Sequence, residues 1–596
     1  MTSTQGTITE TASMATTEAA TITAKGGGIA WSGSLVGSQN PNNQLGYRYS
    51  TPSKRYRIDD STAGAGTNDS IDLPSNLQIQ FCNRQGEELE QLLDVPTEST
   101  VDDLIALIHS LLQKNDDEND HLKVPYSFHA LLQQKQQEQP KSNSQPEEIE
   151  VTTSLRDLFL SASSSPFFST ESVLKLVYQP LSVFRVRPIS RCTDTLPGHT
   201  EAVLHVSYSP CGTLLASGGG DAVVRFWDVN TCLPKHSSGK GNNNVPQHKN
   251  HVLCTAWSPD GYQFVSADKN GVFILWDPHS GKVLGQPKKA HSQWITALAW
   301  EPFHLCSTNQ PTTNGAPLRC ERLATSSKDT TIKIWNVRIQ STIAAVRTLS
   351  GHTDSVEAIK WGGQGLLYSA SRDRTIKVWN PDRGILVRTL TGHGHRINTL
   401  ALSTDHVLRT GPYSYKQTKF ESPQAAREAA ARKYQDFCQQ QGPERLVSGS
   451  DDFTLFLWHP TESKHPIKRM TGHQQAVNHI AFSPDGRYFA SASFDKKVKV
   501  WNGFTGDYIY TLTGHVGAVY QVAWSGDSRY LVSASKDSTA KLWQIVSSSK
   551  KGTTAAQQAK ETLPGHADEV YALDWSPYGG SVATGSKDRT IKIWKH

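Results

Sequence analysis

Histidine, aspartate and serine recur along this chain at a spacing that could build either a catalytic relay or a structural one. Gly-His pairs stand at Gly198-His199, Gly351-His352, Gly392-His393, Gly472-His473, Gly514-His515 and Gly565-His566, and His248 and His291 take the same place in two variant copies. The partner aspartates are Asp221, Asp329, Asp373, Asp452, Asp495, Asp537 and Asp588, with Asn270 in the second copy. Each stands six residues before a tryptophan: Trp227, Trp276, Trp335, Trp379, Trp458, Trp501, Trp543 or Trp594. A carboxylate that accepts from a buried imidazole and a nearby serine, with the indole joined through that serine, satisfies buried polar groups once per copy. The same residue types make a nucleophilic triad or a metal site when they occur once. Repeated in every copy, they predict a structural network and no catalysis. Asn270 gives up the charge, so the second copy is expected to be the least rigidly held.

A second set stands beside the first. The turn residue just before each aspartate is expected to face solvent, and these residues are Gly220, Lys269, Lys328, Arg372, Asp451, Phe494, Lys536 and Lys587. Five are basic, and a ring of cations on one face attracts nucleic acid or acidic protein with an affinity that falls as salt rises. The alternative is that Lys-Asp is an ordinary turn pair in repeats of this kind.

The elements that must hold these residues are short strands. In the clearest copy, Gly351-His352 leads into a strand ending at Trp361, a second reaches Ser371, and a turn at Asp373 feeds a third through Trp379-Asn380. Repetition of such a unit is the signature of WD repeats, and eight copies over 183–596 predict an eight-bladed β-propeller. The last copy ends at Trp594 with only Lys595 and His596 after it, one strand short. The extended segment Val183 to Arg191 is expected to supply that strand and leave no bare edge. Two copies carry insertions, Cys306 to Cys320 and Arg409 to Glu444, whose roles stay open. In the second, Ser422 as N-cap and Pro423 as first helical residue predict a helix.

Ahead of the repeats, residues 1–75 are rich in Thr, Ser, Ala, Gly and Asn and are expected to form a disordered tail. Residues 76–182 read differently. Leu77 to Phe81 alternate as a strand, a turn near Gly86 leads to a second run ending at Val95-Pro96, and Thr100 precedes an amphipathic helix carrying Leu104, Ile105, Ile108 and Leu111. Strands at Val124 to Leu132, Ile149 to Leu155 and Val173 to Tyr178, with a polar insertion at Gln133 to Glu147, complete a β-grasp, or ubiquitin-like, order. A formal charge of +5 over 596 residues is too mild to diagnose nucleic-acid binding. The eight cysteines contain no CxxC pair, which points to reduced thiols, and the chain has no long apolar run that would insert in a membrane.

A β-grasp unit followed by Val177-Tyr178-Gln179-Pro180, Phe184-Arg185-Val186-Arg187 and WD repeats containing Ala401-Leu402-Ser403-Thr404-Asp405 and Gln441-Gly442-Pro443-Glu444-Arg445 resembles the Notchless family of ribosome-assembly factors. The resemblance covers about Leu77 to His596. It implies a non-catalytic, monomeric factor of nucleolus and nucleus, bound to the large ribosomal subunit precursor with its proteins and ribosomal RNA. It also implies that the AAA ATPase Midasin grips the ubiquitin-like domain. In the family, a glutamate of that domain completes the Mg²⁺ coordination of Midasin's adhesion site, and Thr170-Glu171 before the last β-grasp strand matches the motif, giving Glu171 that role. No cofactor of the chain's own is expected, and the chain has no GxxxxGK[ST] loop, so ATP hydrolysis would belong to the partner. A ubiquitin-system substrate adaptor is the alternative function.

Overall fold

The computed structural model describes residues 75–83, 88–112, 126–132, 147–151, 154–156, 158, 173–180, 185–238, 248–306, 319–337, 343–415, 420, 422–545 and 557–596. The expected tail over 1–75 except Ser75, the turn at Gly86, the Gln133 to Glu147 insertion up to 146, the middle of the Cys306 to Cys320 insertion, and Thr170, Glu171 and Val183 lie outside them.

The N-terminal part is one five-stranded sheet with a helix. Strands β1 (Asn76–Cys82) and β2 (Glu88–Pro96) pair antiparallel. Helix α1 (Val101–Leu112), β3 (Tyr126–Leu132), β4 (Glu147–Val151) and β5 (Leu174–Pro180) follow. The spatial order is β2-β1-β5-β3-β4, with β5 parallel to β1 and antiparallel to β3. Alternation in β1 sends Leu77, Ile79 and Phe81 inward to meet Leu104 and Ile108 of α1 and Phe128 of β3. Full burial of each such side chain is worth about 1.5–3 kcal/mol. The helix starts where it does because Thr100 and Asp103 cap each other: Thr100 N donates to the Asp103 carboxylate at 2.9 Å, and Asp103 N returns a bond to Thr100 Oγ1 at 3.4 Å.

From Arg191 onward the described residues form eight antiparallel sheets of four strands, the sixth gaining a short fifth strand, Gln557–Gln558. The first strands of the eight, in chain order, are Val203–Tyr208, Val252–Trp257, Ile295–Trp300, Val356–Trp361, Ile397–Leu402, Val477–Phe482, Val519–Trp524 and Val570–Trp575. Each packs against the first strand of the next sheet, and Val570–Trp575 packs against Val203–Tyr208. Second strands such as Leu214–Gly219 and Tyr530–Ser535 are buried at every residue because a neighbouring sheet covers each face. Outer strands such as Ala344–Leu349 are exposed except at the end. This is the sheet arrangement of WD repeats.

The eighth sheet is completed from the other end of the repeat region, but by a later strand than the sequence suggests. Arg191–Leu196, not Val183 to Arg191, pairs with Ile591–Lys595, in the register Lys595 to Arg191 and Ile591 to Leu196. The reason lies in Pro188, which has no N–H for a ladder, and in a sideways anchor. Val186 N donates to the Asp527 carboxylate at 2.8 Å, and Arg529 donates to Val186 O at 2.9 Å. Val186 and Ile189 are thereby buried among residues of the seventh and eighth sheets.

Between the first and second strands of the fifth sheet stand two helices, α2 (Asp405–Thr410), which runs into the insertion, and α3 (Pro423–Gln441) within it. Ser422 Oγ accepts from Ala425 N at 3.1 Å and Pro423 opens α3, as the sequence predicts. Helix α3 buries Ala426 and Ala430 in one cluster with Trp300 of the third sheet and Phe303 of the turn that follows it, and Tyr434 stacks on His304 at 4.7 Å.

Candidate functional site

The His, Asp and Trp residues of the repeats converge in every sheet. In the fourth, His352 Nδ1 lies 2.6 Å from Asp373, His352 Nε2 lies 2.8 Å from Ser369 Oγ, and Trp379 Nε1 donates to the same oxygen at 2.9 Å. The pairs His199–Asp221, His393–Asp452, His473–Asp495, His515–Asp537 and His566–Asp588 repeat this at 2.8–3.0 Å. In the third and eighth sheets threonine replaces the serine, as Thr325 and Thr584. Burial works to raise the Asp588 carboxyl, but bonds from Thr590 and His566 outweigh it and hold the group at about 2. The same balance depresses Asp373, Asp452 and Asp537. Burial lowers His291, His473 and His566. An imidazole held between a carboxylate and a hydroxyl that the indole already occupies has no path to a substrate, so this geometry is that of a brace.

The second sheet corrects the sequence reading. Its carboxylate is not lost at Asn270; it stands two residues earlier, at Asp268, 1% exposed. Asp268 lies 3.2 Å from His248 Nδ1 and accepts from Asn270 N at 2.9 Å and Val272 N at 2.8 Å. His248 completes the relay through Ser266 to Trp276. The premise of a loosened second copy, a missing carboxylate, is therefore overturned: the carboxylate is present and more deeply buried. The signal was legible, because that position is serine or glycine in the other copies, for example Gly219, Ser371 and Ser535.

The eight turn residues share one backbone role. Gly220, Lys269, Lys328, Arg372, Asp451, Phe494, Lys536 and Lys587 each donate a backbone N–H, at 2.8–3.1 Å, to a carbonyl in the loop before the first strand of the same sheet. They thus mark one end of the array. Their cations differ in company. Arg372 Nε donates to Glu357, Lys536 lies 3.8 Å from Glu569, and Lys587 lies 3.3 Å from Asp568. Lys269 and Lys328 instead stand over the indole of Trp294. Sequence reading missed Trp294, although it is a tryptophan outside the relay positions, three residues after His291.

Sequence reading also missed a second cluster, at the insertion. Arg409 of α2 donates to Asp574 of the eighth sheet at 2.9 Å and to Tyr208 O of the first at 3.1 Å. Lys433 of α3 donates to Thr410 Oγ1, Tyr413 O and Tyr578 Oη at 2.6, 2.8 and 3.0 Å. Burial alone pushes the Lys433 amine down to about 7.

Comparison with known proteins agrees with this layout. Seven stretches match the WD domain, G-beta repeat: 190–228, 240–277, 282–336, 344–380, 464–502, 506–544 and 557–595. The first three strands of the fifth sheet, split by its insertion, fall between two of them. Residues 77–134 match the NLE (NUC135) domain. The chain is 42% identical to Protein Notchless of Drosophila melanogaster, over 69% of this chain and 75% of that one. It is 41% identical to Ribosome assembly protein 4 of Saccharomyces cerevisiae, over 74% and 80%. To the Notchless protein homolog of Arabidopsis thaliana it is 50% identical, over 57% and 67%.

Proposed function

Because the chain belongs to the family of Notchless and Ribosome assembly protein 4, we propose that it is a non-catalytic assembly factor of the large ribosomal subunit precursor, working in the nucleolus and nucleus. In this reading residues 183–596 are an eight-bladed propeller that holds the particle, and residues 76–182 are a ubiquitin-like domain presented to Midasin. The likeness to a protein named for ribosome assembly, over 74% of this chain, carries the reading. The strand order β2-β1-β5-β3-β4 supports the ubiquitin-like assignment, and the packing of the eighth sheet on the first supports a ring.

Glu171, three residues before β5 in the sequence, supplies one oxygen to a Mg²⁺ held by Midasin. In this reading the chain's share of that metal site is the single donated ligand. ATP hydrolysis and the pulling force are the partner's, and the propeller is the anchor against which that force acts. Mg²⁺ demands oxygen at roughly 2.0–2.1 Å in near-octahedral geometry, so one methylene of reach decides whether the bond forms.

The experiment is sedimentation of the tagged chain with large-subunit precursors, beside a Glu171→Asp variant. Wild type should co-sediment and bind Midasin in the presence of Mg²⁺. The variant should still enter particles and lose that binding. A wild-type chain that brings down ubiquitin-ligase subunits and no precursor would overturn the reading.

A further inference from the structure

The five cations of the turn ring are not equivalent. Three have carboxylate neighbours, and two further positions are Asp451 and the exposed Phe494. Lys269 and Lys328 stand apart. Their ammonium nitrogens lie 4.5 and 3.7 Å from the centroid of the partly exposed Trp294 ring. They can be no farther from each other than the sum of those distances. Neither makes an ion pair among the described residues.

The backbone builds this arrangement. Lys328 N donates to Trp294 O at 3.0 Å, which fixes one lysine beside the indole. The other comes from the neighbouring sheet, brought in by Gly271. A Cβ on Gly271, at φ +77°, would meet His291 O at 2.4 Å and Gln293 O at 2.5 Å. Its carbonyl also accepts from Ala290 N and His291 N at 2.8 and 3.1 Å. Only glycine lets the second turn press so closely on the loop that carries Trp294. The carboxylates next to these lysines in the chain are already engaged: Asp329 by His291 at 3.0 Å, and Asp268 by His248, deep in the sheet. At the surface of the second turn stands the neutral Asn270. The relocation of that carboxylate thus leaves this arc of the face positive.

We propose that Lys269, Trp294 and Lys328 form a binding site for single-stranded RNA. An acidic peptide would use the ammonium groups and leave the indole idle, whereas a nucleotide uses both kinds of group. An unpaired base stacks on the indole and displaces one ammonium from the ring, and that ammonium moves to the adjoining phosphate. A duplex, its bases already stacked, gains only the phosphate contacts. The site deepens the proposed function and rests on its reading that the propeller faces the precursor particle.

The test is anisotropy of a short labelled oligouridine titrated with the full chain at several salt concentrations. Wild type should bind the single strand more tightly than a duplex of equal length. Trp294→Leu should weaken binding on the order of tenfold, and Trp294→Phe should restore most of it. Lys269→Gln with Lys328→Gln should flatten the slope of log affinity against log salt by about 0.7 per lysine, with an unchanged circular-dichroism spectrum. No oligouridine binding by wild type, or an unchanged slope in the double variant, overturns the site. Displacement of the RNA by polyglutamate as readily as by unlabelled oligouridine also overturns it, in favour of an acidic protein. Co-sedimentation of wild type with precursors separates the two levels. A chain that co-sediments yet ignores oligouridine refutes the site alone. A chain that binds oligouridine but never meets the particle supports the site and refutes the function.

Discussion

Asp268 and Asn270 together do what a serine and an aspartate do in most of the other sheets, with the charge moved two residues inward. The exchange makes a contrast that can be measured. Asp268→Asn should destabilise the chain by about 1–3 kcal/mol, since a buried imidazole and two backbone N–H groups lose a charged acceptor. Asn270→Asp should change stability by no more than about 0.5 kcal/mol, because among the described residues its side chain accepts a single bond, from the partly buried Asn250. Denaturant midpoints of the two variants check this, and equal losses would restore Asn270 to the relay. Acid should act through buried histidines as well. Burial pushes His205 and His479 down to about 4, the first beside Asp574 and Arg409, the second near Lys360 and His205. A histidine with a lowered folded pKa binds its proton better when unfolded, so stability falls as pH drops from about 6.5 towards 4. His479→Gln should flatten part of that fall in the thermal midpoint.

At the scale of elements, the closing strand is the most exposed commitment of the fold. A truncated chain starting at Gly198 lacks Arg191–Leu196 and leaves Ile591–Lys595 as a bare edge, so it should aggregate or melt early. A chain starting at Ser190 keeps the strand but loses Val186 and Ile189, and should stay soluble with a lower melting temperature. Equal melting temperatures for the two would sink the closure. The strand was misplaced from sequence for a physical reason. Phe184 and Val186 alternate with Arg185 and Arg187 as a strand would, yet Val186 and Ile189 are buried in the junction of two sheets. Arg191-Cys192-Thr193-Asp194-Thr195 looks like a loop because an outer strand needs little apolar surface. Helix α3 was legible because capping is local: Ser422 and Pro423 act within one turn. What α3 packs against was not, since His304 and Phe303 are more than a hundred residues away in sequence.

At the scale of the whole molecule, the insertion ties opposite parts of the array together. Arg409 follows the first strand of the fifth sheet and reaches Asp574 of the eighth and Tyr208 O of the first. Arg409→Ala should cost about 1–3 kcal/mol, below the full cost of breaking a dry buried pair, because the guanidinium keeps partial solvent contact at 38% exposure. Lys433 adds a pH dependence of the opposite range. Its lowered pKa means that the unfolded chain holds the proton more tightly, so its contribution to stability rises between about pH 7 and 10. Lys433→Met should remove that rise, and a thermal-midpoint profile identical to wild type would show the amine is not buried in solution.

Sequence alone determined the repeat and seven of the eight relays, because each rests on short-range periodicity and on turn chemistry confined to a few residues. It also carried the Glu171 expectation, which the described residues do not reach. Tertiary structure alone decided which strand closes the eighth sheet and which cations of the turn ring stand without an acid, and it fixed Asp268 as the carboxylate that serves His248. Those outcomes depend on neighbours brought together from distant parts of the chain, as Gly271 brings Lys269 over an indole that belongs to the next sheet. A one-dimensional pattern states what a residue is; the company it keeps is set when the sheets pack.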